Sequence, residues 1–139
     1  MHKNTILIVI VLLIINPTTI LAQSFQANIS ISNYGYGAGI QTPRREGWSL
    51  YVNTSIRGNR RTTRTALRYY TDLNKRSYYG SLSYVNKWRN SYHSKEFDIG
   101  MGKEIELSAH SKINIEGGYS SAIPGNIYYI MSFNINWSD

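Results

Sequence analysis

The chain contains no cysteine among its 139 residues, and its three prolines fall in breaks between longer segments. Without cysteine there is no disulfide framework, no thiolate metal site and no lipid anchor on an N-terminal cysteine. The three histidines lack a metal-ligand spacing, so we predict neither a metal site nor a cofactor. Acidic residues are also few: eight Asp and Glu against fifteen Lys and Arg leave a formal charge of +7.

Long hydrophobic runs are absent except at the N-terminus. Residues 5–15 are almost unbroken Ile, Leu and Val, preceded by Lys3 and followed by Asn16-Pro17. This run is shorter than the ~20 residues that cross a bilayer as a helix. The pattern is typical of a secretory signal peptide, with cleavage before Gln23. We therefore predict a signal peptide over 1–22 and a single domain over 23–139, with an N-terminal anchor helix as the alternative.

Helical periodicity is not sustained in the rest of the chain, whereas alternation with a period of two is general. Side chains alternate between the two faces of a strand, so such a segment has one apolar and one polar face. The last segment shows this, with one apolar row of Ile127, Tyr129, Met131, Phe133, Ile135 and Trp137. The chain is therefore predicted to be all-β.

Seven alternating runs can be read, over 24–41, 48–57, 61–71, 77–88, 94–107, 111–120 and 126–137. The first run is long, and its apolar parity changes from odd (Ile29, Ile31) to even (Tyr34, Tyr36). A parity change requires a bulge or a turn near residues 32–35. A turn there gives eight strands, and Gly58-Asn59 is a second clear hairpin signal.

The polar rows carry charges of both signs in the middle of the strands. If the apolar rows face lipid, these charges lie inside a narrow barrel and can pair with one another. We predict such an interior network from Arg64, Arg68, Glu96, Asp98 and Glu116. If the chain is a soluble sheet protein, the same charges lie on a solvated face.

Aromatic residues lie near the strand ends in the apolar rows, including Trp48, Trp88 and Trp137, as in interfacial aromatic girdles. The final strand alternates Phe133-x-Ile135-x-Trp137, although Ser138-Asp139 follow. In these features the chain resembles small bacterial outer-membrane β-barrels. The resemblance implies an up-and-down antiparallel barrel of about eight strands in the outer membrane of a Gram-negative cell. Its implied partners are lipid, lipopolysaccharide, the assembly machinery and an envelope export system.

Three functions remain open. The first is a barrel with a structural, narrow-conduit or export-accessory role, because an eight-stranded interior is normally filled by side chains. The second is a soluble secreted β-sandwich or barrel that binds a glycan or another ligand. The third is a lipid A-modifying enzyme that uses His93 or His110 with a neighbouring serine. Neighbours on a strand point to opposite faces, so we lean against an enzyme.

A basic group surrounds one predicted hairpin, at Arg57, Arg60 and Arg61. At a loop tip these residues are suited to contact phosphate groups, including those of lipopolysaccharide. Basic residues with nearby aromatics also suit nucleic acid, but a secreted protein rarely meets it. We therefore predict an anion contact and no nucleic-acid partner.

Overall fold

The structure, a computed structural model, describes residues 25–71, 77–121, 123 and 125–136. The predicted signal peptide and Trp137 lie outside the described residues. Among the residues described, no helix is long and apolar enough to cross a membrane. The strands are β1 (Gln26–Ser32), β2 (Gly35–Gln41), β3 (Trp48–Arg57), β4 (Arg60–Tyr70), β5 (Ser77–Arg89), β6 (Tyr92–Ser108), β7 (Ser111–Ser120) and β8 (Ile127–Asn136).

The eight strands form one closed antiparallel barrel in which every strand pairs with its neighbour in sequence. The barrel closes where β1 pairs with β8, from Gln26 opposite Asn136 to Ser32 opposite Ile130. Each strand therefore has a pairing partner on both sides, and closure removes the two free edge strands that an open sheet would have. The predicted up-and-down barrel of about eight strands is thereby confirmed, and the β-sandwich alternative is wrong.

The parity change in the first run is a turn between β1 and β2. The backbone N–H of Tyr34 donates to Ser32 Oγ at 3.1 Å, and Gly35 adopts a φ of +118°. That conformation is accessible mainly to glycine. The turn also changes one expectation. Tyr34 was predicted to share the apolar row of Tyr36, but its ring is buried inside the barrel.

Polarity is distributed inside out. The outward rows are mostly apolar and exposed, for instance Ile29 at 64% and Met101 at 72% of their surface. The inward rows are polar or charged and buried, with Arg68 at 0% and Glu116 at 2% exposure. A soluble protein buries its apolar side chains, whereas a membrane barrel turns them towards lipid. The pattern therefore matches the membrane alternative.

Connections at the two ends of the barrel are mostly short. We call the end where β1 begins and β8 ends the terminal opening, and the other end the distal opening. The distal opening is bordered by the turns after β1, β3 and β5, each of two residues, and by the longer β7–β8 connection. Trp48 packs on Tyr69 on the outer surface of the terminal half, with ring centroids 4.8 Å apart.

Candidate functional site

The middle of the barrel contains two buried arginines from one strand. Arg64 and Arg68 lie on the inward row of β4, with Ala66 between them, so both guanidinium groups enter the interior. Their cross-strand neighbours on β3 are Asn53 and Ser49. Because these side chains are smaller than arginine, they leave room for each arginine side chain to extend into the interior.

Both arginines reach across the interior to the same carboxylate on β7. Arg68 Nη2 donates to Glu116 Oε2 at 2.7 Å, and Arg64 Nη2 donates to Glu116 Oε1. Arg64 Nε also contacts Asp98 Oδ2 on β6 at 3.3 Å. Two cations thus face two carboxylates, so the central layer is close to electrically balanced. Buried charges are stable only when they are paired in this way.

Tyrosine rings enclose the two guanidinium groups. The Arg68 guanidinium lies 3.9 Å from the Tyr51 ring centroid and 4.7 Å from that of Tyr79. Tyr128 donates its hydroxyl to Glu116 at 2.8 Å, and its ring centroid is 5.1 Å from the Arg64 guanidinium. Cation–π contacts are strongest where water is excluded, so these rings stabilise the arginines and fill the interior around them.

Two glycines on β6 make room for these rings. A Cβ atom added at Gly100 would collide with Tyr128, and one added at Gly102 would collide with Tyr79. The inward side chains of β6 are therefore small where the tyrosine rings of other strands occupy the interior. This complementarity lets the tyrosines lie across the interior without displacing a strand.

Towards the distal opening, Asp98 is held by a tyrosine from the first turn. Tyr34 donates its hydroxyl to Asp98 Oδ2 at 2.7 Å, and Ser120 Oγ lies 2.8 Å from the same hydroxyl. Burial, and then the negative charge of Asp98, raise the pKa of Tyr34 well above its ordinary value. Tyr34 is therefore a neutral donor that fastens the β1–β2 turn to β6.

Towards the terminal opening, a second ion-pair group surrounds Glu104 of β6. Its carboxylate pairs with Arg44 of the β2–β3 connection and with Lys112 Nζ at 3.0 Å. The Arg44 guanidinium lies 3.6 Å from the ring centroid of Tyr70. With its amide oriented to satisfy both polar atoms, Asn114 donates to Glu104 and accepts from Arg68 Nη1. The central and terminal groups are thus connected.

Four of the five residues predicted for the interior network lie together: Arg64, Arg68, Asp98 and Glu116. Glu96 does not join them. It lies at the distal rim of β6, where Ser121 Oγ donates to its carboxylate at 2.8 Å. The tyrosines and the group around Glu104 were not among the residues predicted for the interior. The inward parity of Tyr51, Tyr79 and Tyr128 was the signal that could have included them.

The predicted anion-contact residues separate onto the two faces of the sheet. Arg57 and Arg60 are on inward rows at the distal opening, and Arg57 Nη1 donates to the carbonyl oxygen of Asn33 at 3.0 Å. Arg61 is on the outward row, with its guanidinium 5.0 Å from the ring centroid of Trp88. Only two of the three therefore face the same space.

The two histidines considered for catalysis make other contacts. The His93 ring stacks on Trp88 at a centroid distance of 4.9 Å, and its Nε2 is 3.3 Å from Asn86 Oδ1. The His110 backbone N–H donates to Ser108 Oγ at 3.2 Å in the β6–β7 turn. Within the described ranges, no group of three His, Asp or Glu side chains is arranged to hold a metal ion.

Comparison with known proteins identifies one solved structure of the same architecture. It is the crystal structure of the N-terminal β-barrel domain of Pseudomonas aeruginosa OprF, with a TM-score of 0.62 and 10% sequence identity. The match covers 83% of this chain and 98% of that one. At this identity the likeness concerns the fold, and at that level the predicted resemblance to small outer-membrane barrels is confirmed. No protein-family model and no curated protein matches the chain.

Proposed function

We propose that this chain spans the outer membrane of a Gram-negative bacterium as a barrel closed by its own side chains, with a structural role in the envelope. The observation that carries the proposal is the inside-out distribution of polarity: an apolar outer surface around a buried, charge-paired interior. The fold shared with the OprF barrel domain and the predicted signal peptide support the same location.

Contact with lipid is supported by continuous apolar neighbours across the strands. Leu82 of β5 lies between Leu67 of β4 and Ile99 of β6, and all three side chains point outward and are more than 40% exposed. Soluble monomers rarely expose contiguous apolar patches larger than a few hundred Å². A barrel surrounded by hydrocarbon needs such a surface.

A closed interior is supported by the residues that cross it. Arg64 and Arg68 connect β4 to β7 through Glu116, and Tyr51 and Tyr79 cover the guanidinium groups. All of these side chains are almost fully buried. Ions that passed through would have to displace paired charges. This favours a structural role over the narrow conduit.

Short connections limit what the barrel can contact outside the membrane. Three of the four distal turns contain only two residues. Lipid and lipopolysaccharide are therefore the partners we propose for the outer surface. We also propose the outer-membrane assembly machinery as a partner in the cell, because a barrel satisfies its backbone hydrogen bonds only once it is closed. An export partner would have to bind at a rim.

Cell fractionation combined with gel migration tests the location. We expect the protein in the outer-membrane fraction, with faster migration in SDS before boiling than after. Recovery from the periplasm or medium without a heat-dependent shift would refute the proposal. The closed interior is tested separately, by release of a small dye and of chloride from vesicles containing the folded barrel. Release no faster than from empty vesicles is expected, and rapid release would instead favour a conduit.

A further inference from the structure

We propose that the distal opening contains a binding site for a phosphate-bearing ligand, formed by Arg60, Lys87 and Arg89. These three side chains line one cleft of about 450 Å³ at the rim, together with Tyr92 and Glu96. The site lies on the extension of β5 and β6 beyond the neighbouring strand β7, which ends opposite Asp98.

The strand register places three arginines side by side on the inward rows. Arg57 lies directly opposite Arg60 across the β3–β4 hairpin, and Arg60 lies directly opposite Arg89 on β5. Like charges at directly opposed positions destabilise a sheet. A row of this kind weakens the isolated barrel, and a bound anion would remove the repulsion.

The carboxylate that lines the cleft does not balance the positive charge of this row. Among the residues that line the cleft, Glu96 is the carboxylate that accompanies Arg60, Lys87 and Arg89. Glu96 also accepts the Ser121 hydroxyl at 2.8 Å. Arg57 lines the smaller adjoining cavity with Arg60 and Lys87, so the excess positive charge continues inward. The central network of Arg64, Arg68, Asp98 and Glu116 is balanced within itself, so it does not offset this excess.

The chemistry and size of the cleft favour a phosphate attached to a larger group. Guanidinium groups bind phosphate oxygens with paired hydrogen bonds, and lysine adds a point charge. A volume of about 450 Å³ lies within the range of small-molecule sites, which begins near 300 Å³. Tyr92 and Ile123 provide an aromatic ring and an apolar side chain beside the cations, suited to a sugar or acyl portion.

Calorimetric titration of the whole barrel, folded in a maltoside detergent, tests the site. The probes are inorganic phosphate, diphosphorylated lipid A, and lipid A from which both phosphates have been removed. We expect Arg89→Gln to weaken binding of the phosphate-bearing probe by about tenfold, the loss of one charge-assisted contact. Arg61→Gln is the matched control, because Arg61 is basic, lies at the same rim and faces outward.

A second measurement, of thermal stability, tests the repulsion between the neighbouring arginines. In phosphate-free buffer Arg89→Gln is expected to raise the melting temperature, whereas saturating phosphate should stabilise the wild type more than the variant.

Binding of inorganic phosphate alone would identify a free anion as the ligand, and preference for phosphorylated lipid A would identify a membrane lipid. Equal binding by wild type and Arg89→Gln, or equal losses in Arg89→Gln and Arg61→Gln, would overturn the proposal. Retained heat-dependent gel migration verifies that each variant is folded. The test of the phosphate site holds whether or not the barrel interior conducts ions.

Discussion

Arg68 and Glu116 form an ion pair across the interior, with Arg68 Nη2 2.7 Å from Glu116 Oε2, and neither side chain reaches the surface. Because Arg64 donates to the same carboxylate, Glu116 joins the inward row of β4 to β7. β4 and β7 are not neighbours in the barrel. This contact therefore connects opposite walls of the barrel.

Replacement of Glu116 by glutamine should destabilise the folded barrel strongly. Two buried guanidinium groups would lose their shared negative charge, and breaking a buried pair in this way costs about 3–5 kcal/mol. The measurement is urea unfolding in lipid vesicles, followed by tyrosine and tryptophan fluorescence. Glu96→Gln is the control, because Glu96 contacts Ser121 at the rim. Equal losses in the two variants would contradict the assigned role of Glu116.

Alanine at Gly102 should destabilise the barrel although the change adds a single methyl group. Its Cβ would collide with the Tyr79 ring, which is packed on Arg68 and cannot move without losing that contact. Overpacking of this kind costs about 1–3 kcal/mol. Gly80→Ala is the matched variant, since nothing lies within 4 Å of a Cβ added there. Unfolding free energies that differ little between the two would show that the interior is loosely packed.

Replacement of Leu82 by lysine tests whether this surface faces lipid or water. In a membrane the substitution should cost about 2–4 kcal/mol near the bilayer centre and reduce assembly. In water, a lysine at this exposed position would be nearly neutral. The measurement is the fraction of heat-modifiable protein recovered in the outer membrane. Ser91→Lys, in the β5–β6 turn, should assemble normally. Normal assembly of Leu82→Lys would argue that this face does not contact lipid.

Phenylalanine at Tyr34 should change both stability and its dependence on alkaline pH. Loss of the hydroxyl removes a hydrogen bond to the buried Asp98 carboxylate, at a cost of about 1–3 kcal/mol.

Because the pKa of Tyr34 is raised in the folded state, the unfolded chain releases this proton first, near pH 10. Stability linked to Tyr34 is therefore fully present below pH 10 and decreases as the pH rises above it. Tyr34→Phe should lose stability less steeply there, by up to about 1.4 kcal/mol per pH unit. The comparison uses unfolding in detergent at pH 8 and pH 11. Parallel curves for variant and wild type would be inconsistent with the Tyr34–Asp98 contact.

The sequence determined most of the strands and their two faces. A side-chain period of two follows from strand geometry alone, so apolar alternation in residues 127–135 predicts which face is apolar without any tertiary information. Local turn chemistry likewise predicts the hairpin at Gly58-Asn59, and the change of apolar parity predicts the break near residues 32–35. Inward placement of Arg64, Arg68, Asp98 and Glu116 followed from the same parity.

Only the tertiary structure decided how the barrel closes and which charges meet. Pairing of β1 with β8 joins segments about a hundred residues apart, and no local pattern distinguishes this closure from two packed sheets. Parity also predicts the same inward face for Glu96 and Asp98. In the structure, these two positions of one strand differ in depth: Glu96 lies at the rim, whereas Asp98 pairs with Arg64 in the interior. Tyr34 entered the interior because a turn, unlike a strand, does not preserve alternation. Local periodicity sets the face of each side chain, whereas its depth and partner depend on the register of strands distant in sequence.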